Sequence, residues 1–212
     1  MTPRERILAR LRRATGGGDV AAVEARLRTH PQAAPVPAQA RTTGEAAIAR
    51  FIAKAEAVDA TVARLAALEE LPAALAAELR ARNLPAAIRT GSDPAFDLDW
   101  GAVERSIGPG RLEEPAALTR AEFGVAETGT LVFCSGAENP VTLNYLAETH
   151  FALVRAGDIR GGFEEMWEGL RARALDPRTV NLVTGPSRSA DIGQTLQLGA
   201  HGPVALHIFV VG

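Results

Sequence analysis

The stretch THFALVR, residues 149–155, packs four consecutive apolar residues behind a threonine and a histidine. That is too short for a buried helix and right for a strand covered on both faces. Downstream, GGFEEMWEGLRARAL (161–175) reads as a helix, and TVNLVTG (179–185) and VALHIFVVG (204–212) read as further strands. Upstream, FGVAETGTLVFCS (123–135) reads as two extended pieces around a Thr-Gly hinge. Nearer the start, Ile48, Phe51, Ile52 and Ala55 fall at helical spacing from Thr43 onward, and 58–65 is compatible with a strand. A second helix is expected over about 68–82, ending near Asn83, then a short strand in LPAAIR and a turn at Gly91–Pro94. Short apolar strands separated by helices define an α/β fold with a mostly parallel sheet flanked by helices. In such sheets ligands are expected beyond the carboxyl ends of the strands.

The first 42 residues differ in character. Residues 4–13 and 19–28 each carry an apolar stripe, Gly16–Gly18 separate them, and HPQAAPVPAQA (30–40) follows with three prolines. The chain is therefore expected to divide into an N-terminal helical arm with a Pro-rich linker (1–42) and a single α/β domain (43–212). An arm of this kind suits docking on another subunit, so a homo-oligomer is left open.

Across 212 residues, 47% are apolar and the net charge is -2, the profile of a globular chain with no requirement for nucleic acid or an anionic membrane. The apolar runs fall short of the roughly 20 residues that span a bilayer. The N-terminal charges are interleaved with apolar residues, unlike a secretory signal, so a cytoplasmic location is expected. Cys134 is the only cysteine, which excludes an intramolecular disulfide and a self-contained iron–sulfur cluster. The four histidines show no HExxH or CxxC pattern, so no metal site and no bound cofactor are expected of this chain.

Two loops carry groups suited to chemistry. In the first, Glu127 offers a carboxylate, Thr128 and Thr130 offer hydroxyls, and Gly129 permits a sharp turn or close approach to a ligand; a hairpin with a solvated glutamate is the alternative. In the second, Gly185, Pro186, Ser187, Arg188, Ser189 and Asp191 follow an apolar strand. A helix beginning at Ser187 would present free N–H groups to an anion, and Arg188 would add a planar cation. Alternatively, the serines only cap that helix and Arg188 pairs with a surface acid. His201, between glycines before the last strand, is the candidate acid or base beside Glu127. His207 reads as packed and His150 as equally suited to a structural bond. Asn144 would face the site only if the chain folds back there.

Together, AEFGVAETGTLVF (121–133), LAETHFALV (146–154) and GPSRSADIGQTLQLGAHGPVALHIFVV (185–211) resemble the LUD family. The resemblance implies a three-layer α/β fold similar to that of ribose-5-phosphate isomerases and CoA transferases. It also implies a component without iron–sulfur clusters in an L-lactate utilization system, working beside two iron–sulfur partners that convert L-lactate to pyruvate. The sequence departs from the family pattern at Gly193, where an acidic residue is expected. Alternatives are an independent enzyme on a small anionic metabolite (phosphosugar isomerase, acyl-CoA or folate chemistry) and a non-catalytic assembly or regulatory subunit.

Overall fold

The computed structural model describes residues 2–15, 18–29, 36–112, 114–190, 196–198 and 201–212. The chain divides into two compact units, 1–35 and 36–212.

The first unit holds α1 (Pro3–Thr15) and α2 (Val20–Thr29). A reciprocal cap starts α1: Glu5 N–H donates to the Thr2 hydroxyl (3.3 Å) and Thr2 N–H donates to the Glu5 carboxylate (2.7 Å). The apolar stripes of both helices, with Ile7, Leu11, Val20 and Leu27, are exposed. The glycines 16 and 17, and residues 30–35 of the expected linker, lie outside the described residues.

The second unit runs, in order, α3 (Gly44–Glu56), β1 (Thr61–Leu65), α4 (Leu71–Ala81), β2 (Ala87–Thr90), β3 (Glu104–Ile107), β4 (Ala116–Arg120), β5 (Phe123–Val125), β6 (Thr130–Cys134), β7 (Thr149–Arg155), β8 (Ile159–Arg160), α5 (Phe163–Ala172), β9 (Val180–Val183), β10 (Arg188–Ala190), β11 (Leu196–Leu198) and β12 (Ala205–Val211). Six strands form one sheet in the order β1-β12-β7-β4-β2-β3, and every pairing in it is parallel. The expected α/β class with a mostly parallel sheet flanked by helices is what the chain adopts.

Strand alternation sorts the core into layers. From β12, β7 and β4, the residues Phe209, Phe151, Leu153 and Leu118 meet Leu71, Leu75 and Leu79 of α4. On the other face Ile208, Val210, Ala152 and Val154 meet Ile48, Phe51 and Ala55 of α3, together with Leu131 and Phe133 of β6. A second sheet, in the order β8-β5-β6-β9, therefore lies on the α3 side and is itself capped by Met166 and Leu170 of α5. The sequence pattern did not foresee this sheet, whose strands are only two to five residues long.

Leu118 is fully buried in the central strand β4. Leu118→Ala should lower unfolding free energy by about 2–5 kcal/mol. A urea titration with an unchanged slope and a lowered midpoint would register it; an unchanged midpoint would contradict this placement of the core.

Candidate functional site

The two loops singled out in the sequence converge. Strands β5 and β6 form an antiparallel hairpin whose turn is closed by Gly129 N–H donating to Val125 O at 2.9 Å. The Thr128 and Thr130 hydroxyls are 2.6 Å apart, and Thr130 meets the Thr184 hydroxyl at 2.7 Å, so a chain of hydroxyls ties the hairpin to the loop after β9. Gly129 has φ +72°, and a Cβ there would lie 2.4 Å from Ala55 N. Gly185 has φ +76°, and a Cβ there would lie 2.4 Å from Val58 O. Both glycines are thus required by close approach to the end of α3 and the turn after it, where the sequence reading had offered a ligand at Gly129. Glu127 donates its N–H to Gly161 O at 3.0 Å, and its carboxylate has no partner among the described residues.

The helix expected from Ser187 does not form. Residues 188–190 are strand β10, paired antiparallel with β11 as a two-stranded ribbon, so no helix dipole points at an anion there. Extended pairing prevails, and Leu196–Leu198 form the partner strand β11. Arg188 is committed to structure: Nε donates to Asp59 at 3.1 Å, and Nη1 donates to Ser187 O at 3.0 Å and to Val204 O at 2.9 Å. Pairing with a surface acid, the alternative reading of Arg188, is what the geometry displays. The side chain of Ser189, and all of Asp191 and Gly193, lie outside the described residues.

Beside this loop is a cavity of about 190 Å³. Its walls come from three segments: Asn144, Tyr145 and His150; residues 182–187; and residues 201–203 with Leu206. Gly185, Ser187 and His201 of the expected site are therefore brought together, while Glu127, Thr128, Gly129, Thr130 and Arg188 do not line it. Ser187 N–H donates to Pro203 O at 2.8 Å, and the Ser187 hydroxyl accepts from His201 N–H at 3.3 Å, leaving the hydroxyl proton free.

The floor is built by residues the loop reading passed over. Thr119 of β4 donates its hydroxyl to Asn144 Oδ1 at 2.9 Å and lies 2.7 Å from His150 Nε2. With Asn144 oriented so that Oδ1 takes that single hydroxyl proton, Nε2 of His150 carries the hydrogen and donates to Thr119. The other ring nitrogen, Nδ1, is then a bare acceptor, buried and without a partner among the described residues. Leaving such an acceptor unanswered costs about 1–3 kcal/mol. Burial pushes the His150 pKa down to about 3, so the ring stays neutral. Burial also raises the Tyr145 pKa and keeps that phenol a donor. The signal in the sequence was a histidine inside an apolar strand, and the chain does fold back at Asn144.

Position matters too. The cavity opens at the amino ends of β7 and β12, although its 184–187 loop leaves the carboxyl end of β9. This cavity is thus not at the carboxyl ends of the main sheet, where the sequence reading expected ligands. A wider hollow of about 390 Å³ does lie there, and in its lining the charges of Asp93, Arg120 and Glu122 answer one another. Arg120 bonds Asp93 at 2.6 Å and Glu122 at 3.1 Å; Arg173 bonds Glu122 at 2.6 Å and also pairs with Asp158. Cys134, at its edge, has its thiol pKa pushed up to about 11 by burial and the Glu122 charge, against the opposing pull of Arg173 and Arg120. It remains a protonated core residue, as the sequence suggested. Among the described residues no group of three or more His, Cys, Asp or Glu converges as a metal site, and no helix is long and apolar enough to cross a membrane.

The fold is that of an α/β protein with a mostly parallel sheet, and part of the chain is similar to a known family. Residues 111–211 match the LUD domain, which bears out the family resemblance, and this segment contains every residue lining the cavity. Lactate utilization protein C of Bacillus subtilis strain 168 is 34% identical over 122 residues, covering 55% of this chain and 50% of that protein. Its namesake in Geobacillus thermodenitrificans is 34% identical over 94 residues, covering 42% and 39%. An uncharacterized protein of Neisseria meningitidis serogroup B is 38% identical over 115 residues, covering 52% and 49%. The chain thus spans about half the length, or less, of these curated relatives. A DUF162 family protein of Deinococcus radiodurans, solved by crystallography, shares the fold with a TM-score of 0.61 at 22% identity, over 78% of this chain and 96% of that one.

The buried histidines set a pH dependence. His207, on the opposite sheet face, is pushed down to about 4 by burial; the Glu78 charge opposes this and the Arg82 charge adds to it. Both histidines titrate near 6.5 when unfolded, so below that pH the unfolded chain binds protons that the folded chain refuses. Stability should therefore fall as pH drops from ~6.5 toward ~4, by up to roughly 1.4 kcal/mol per pH unit for each histidine. Urea midpoints should decline over this window, less steeply in His150→Phe than in the parent. Equal slopes would contradict a neutral, buried His150.

Proposed function

We propose that this chain serves L-lactate utilization as the component without iron–sulfur clusters, acting with iron–sulfur partner proteins in the conversion of L-lactate to pyruvate. One observation carries the reading: the LUD match over 111–211 encloses the entire cavity, and relatives named Lactate utilization protein C are 31–34% identical over 94–122 residues. The chain's single thiol is buried in the core, so clusters for electron transfer belong to partners with cysteines to hold them. In this reading the cavity receives a small ligand, with Ser187 and His201 at its rim, and the Thr128–Thr130–Thr184 hydroxyl chain holds the rim in place. Glu127 and Arg188 act through the loops they belong to.

Deleting the gene in its source organism should abolish growth on L-lactate while leaving growth on pyruvate intact, and the full chain supplied in trans should restore it. Normal growth of the deletion strain on L-lactate would overturn the proposal.

A further inference from the structure

We infer that the cavity is a binding site for a 2-hydroxycarboxylate, with Nδ1 of His150 accepting the ligand hydroxyl and the Ser187 and Tyr145 hydroxyls donating to its carboxylate. The choice of ligand class rests on the lactate reading above; the arrangement of donors and acceptors stands without it.

The floor supplies an acceptor whose direction is fixed. With Asn144 Oδ1 taking the Thr119 proton, His150 Nε2 is the protonated nitrogen, so Nδ1 offers its lone pair and no described residue takes it. A ligand that answers it has to bring a hydrogen-bond donor, which a hydroxyl does and a keto group does not. The lining also supplies donors: no described residue takes the Ser187 hydroxyl proton, and the Tyr145 phenol has its pKa raised by burial. Leu182, Pro203 and Leu206 line the remainder and suit a short alkyl group. The volume of about 190 Å³ accommodates a molecule of a few heavy atoms.

Among the described residues no lysine or arginine lines the cavity, and the Arg188 fork is engaged outside it. A carboxylate held by neutral hydroxyls binds weakly, so the dissociation constant falls in the millimolar range, about 1 mM or above. Nδ1 has almost no accessible surface, so a ligand contacts it only if the cavity lining moves.

The test is a titration of the full-length chain, labelled with [15N]histidine, using L-lactate, glycolate and pyruvate as probes. L-lactate and glycolate should shift the Nδ1 resonance of His150, and pyruvate, which lacks the hydroxyl, should bind at least about tenfold more weakly. His150→Phe and Ser187→Ala should each weaken L-lactate binding by about tenfold. If His150→Phe does not fold, the parent spectrum and Ser187→Ala decide. Absence of binding, an unmoved Nδ1 resonance, equal affinity for pyruvate or an unaffected Ser187→Ala would each overturn the assignment. A deletion strain that loses growth on L-lactate, beside a pure chain that binds none, would remove this site and leave the system role; binding beside normal growth would do the reverse.

Discussion

Strand β7 is hydrogen-bonded along both edges and covered on both faces, and most of the second unit is arranged by that constraint. Its neighbours β4 and β12 run parallel to it, so their polar backbone groups are paired and the remaining demand falls on side chains. Phe151 and Leu153 meet it against α4, and Ala152 and Val154 meet it against α3 and β6. His150 is the polar exception on the α3 side. A buried imidazole has two nitrogens to answer, and the register provides for one: His150 is opposite Ala117, which places Thr119 two residues further along the same face of β4. Phe133 packs beside the ring, with centroids 5.4 Å apart, and offers it no polar partner.

How far the sequence could be read follows from the same distinction between local and register-dependent order. The strands THFALVR and VALHIFVVG, and the helices that carry Phe51, Leu75 and Met166, announce themselves because their apolar residues are contiguous or evenly spaced. Strand β4 passed unread. Its Ala116 and Ala117 have weak strand propensity, and Leu143 and Ala147 pack against Ala117 from outside the sheet. Missing β4 meant missing Thr119, and with it the hydrogen bond that gives His150 a direction. The 184–188 loop was legible as glycine, proline and hydroxyl chemistry, but its conformation was not. Whether residues after Ser187 coil into a helix or extend depended on pairing with Leu196–Leu198, which no local pattern encodes.

The glycines show why a loop's composition does not reveal what the loop approaches. Gly129 and Gly185 lie on different loops, yet both bring backbone against the end of α3, at Ala55 and at Val58. Arg188 reaches the same turn through Asp59. The turn after α3 is therefore the post on which both loops land. Read in isolation, each glycine permits contact with a ligand or contact with protein backbone equally well; only the packing of α3 decides in favour of the protein.

That anchoring also explains why the cavity opens at the amino ends of β7 and β12. At the carboxyl end of β4, Arg120 and Arg173 each bridge two carboxylates, and the network joins the main sheet to the small sheet and to the residue that ends α5. A ligand placed there would have to displace ion pairs that already satisfy one another, and removing either partner of such a pair leaves a partly buried charge uncompensated. At the amino end the situation is reversed. The loops are held from behind by α3, and Ser187, Tyr145 and His150, whose Nδ1 has no partner among the described residues, line the cavity. The two ends of one sheet thus differ in what they leave unanswered. The end with satisfied charges holds the layers together, and the end with an unsatisfied acceptor is where an incoming molecule has something to gain.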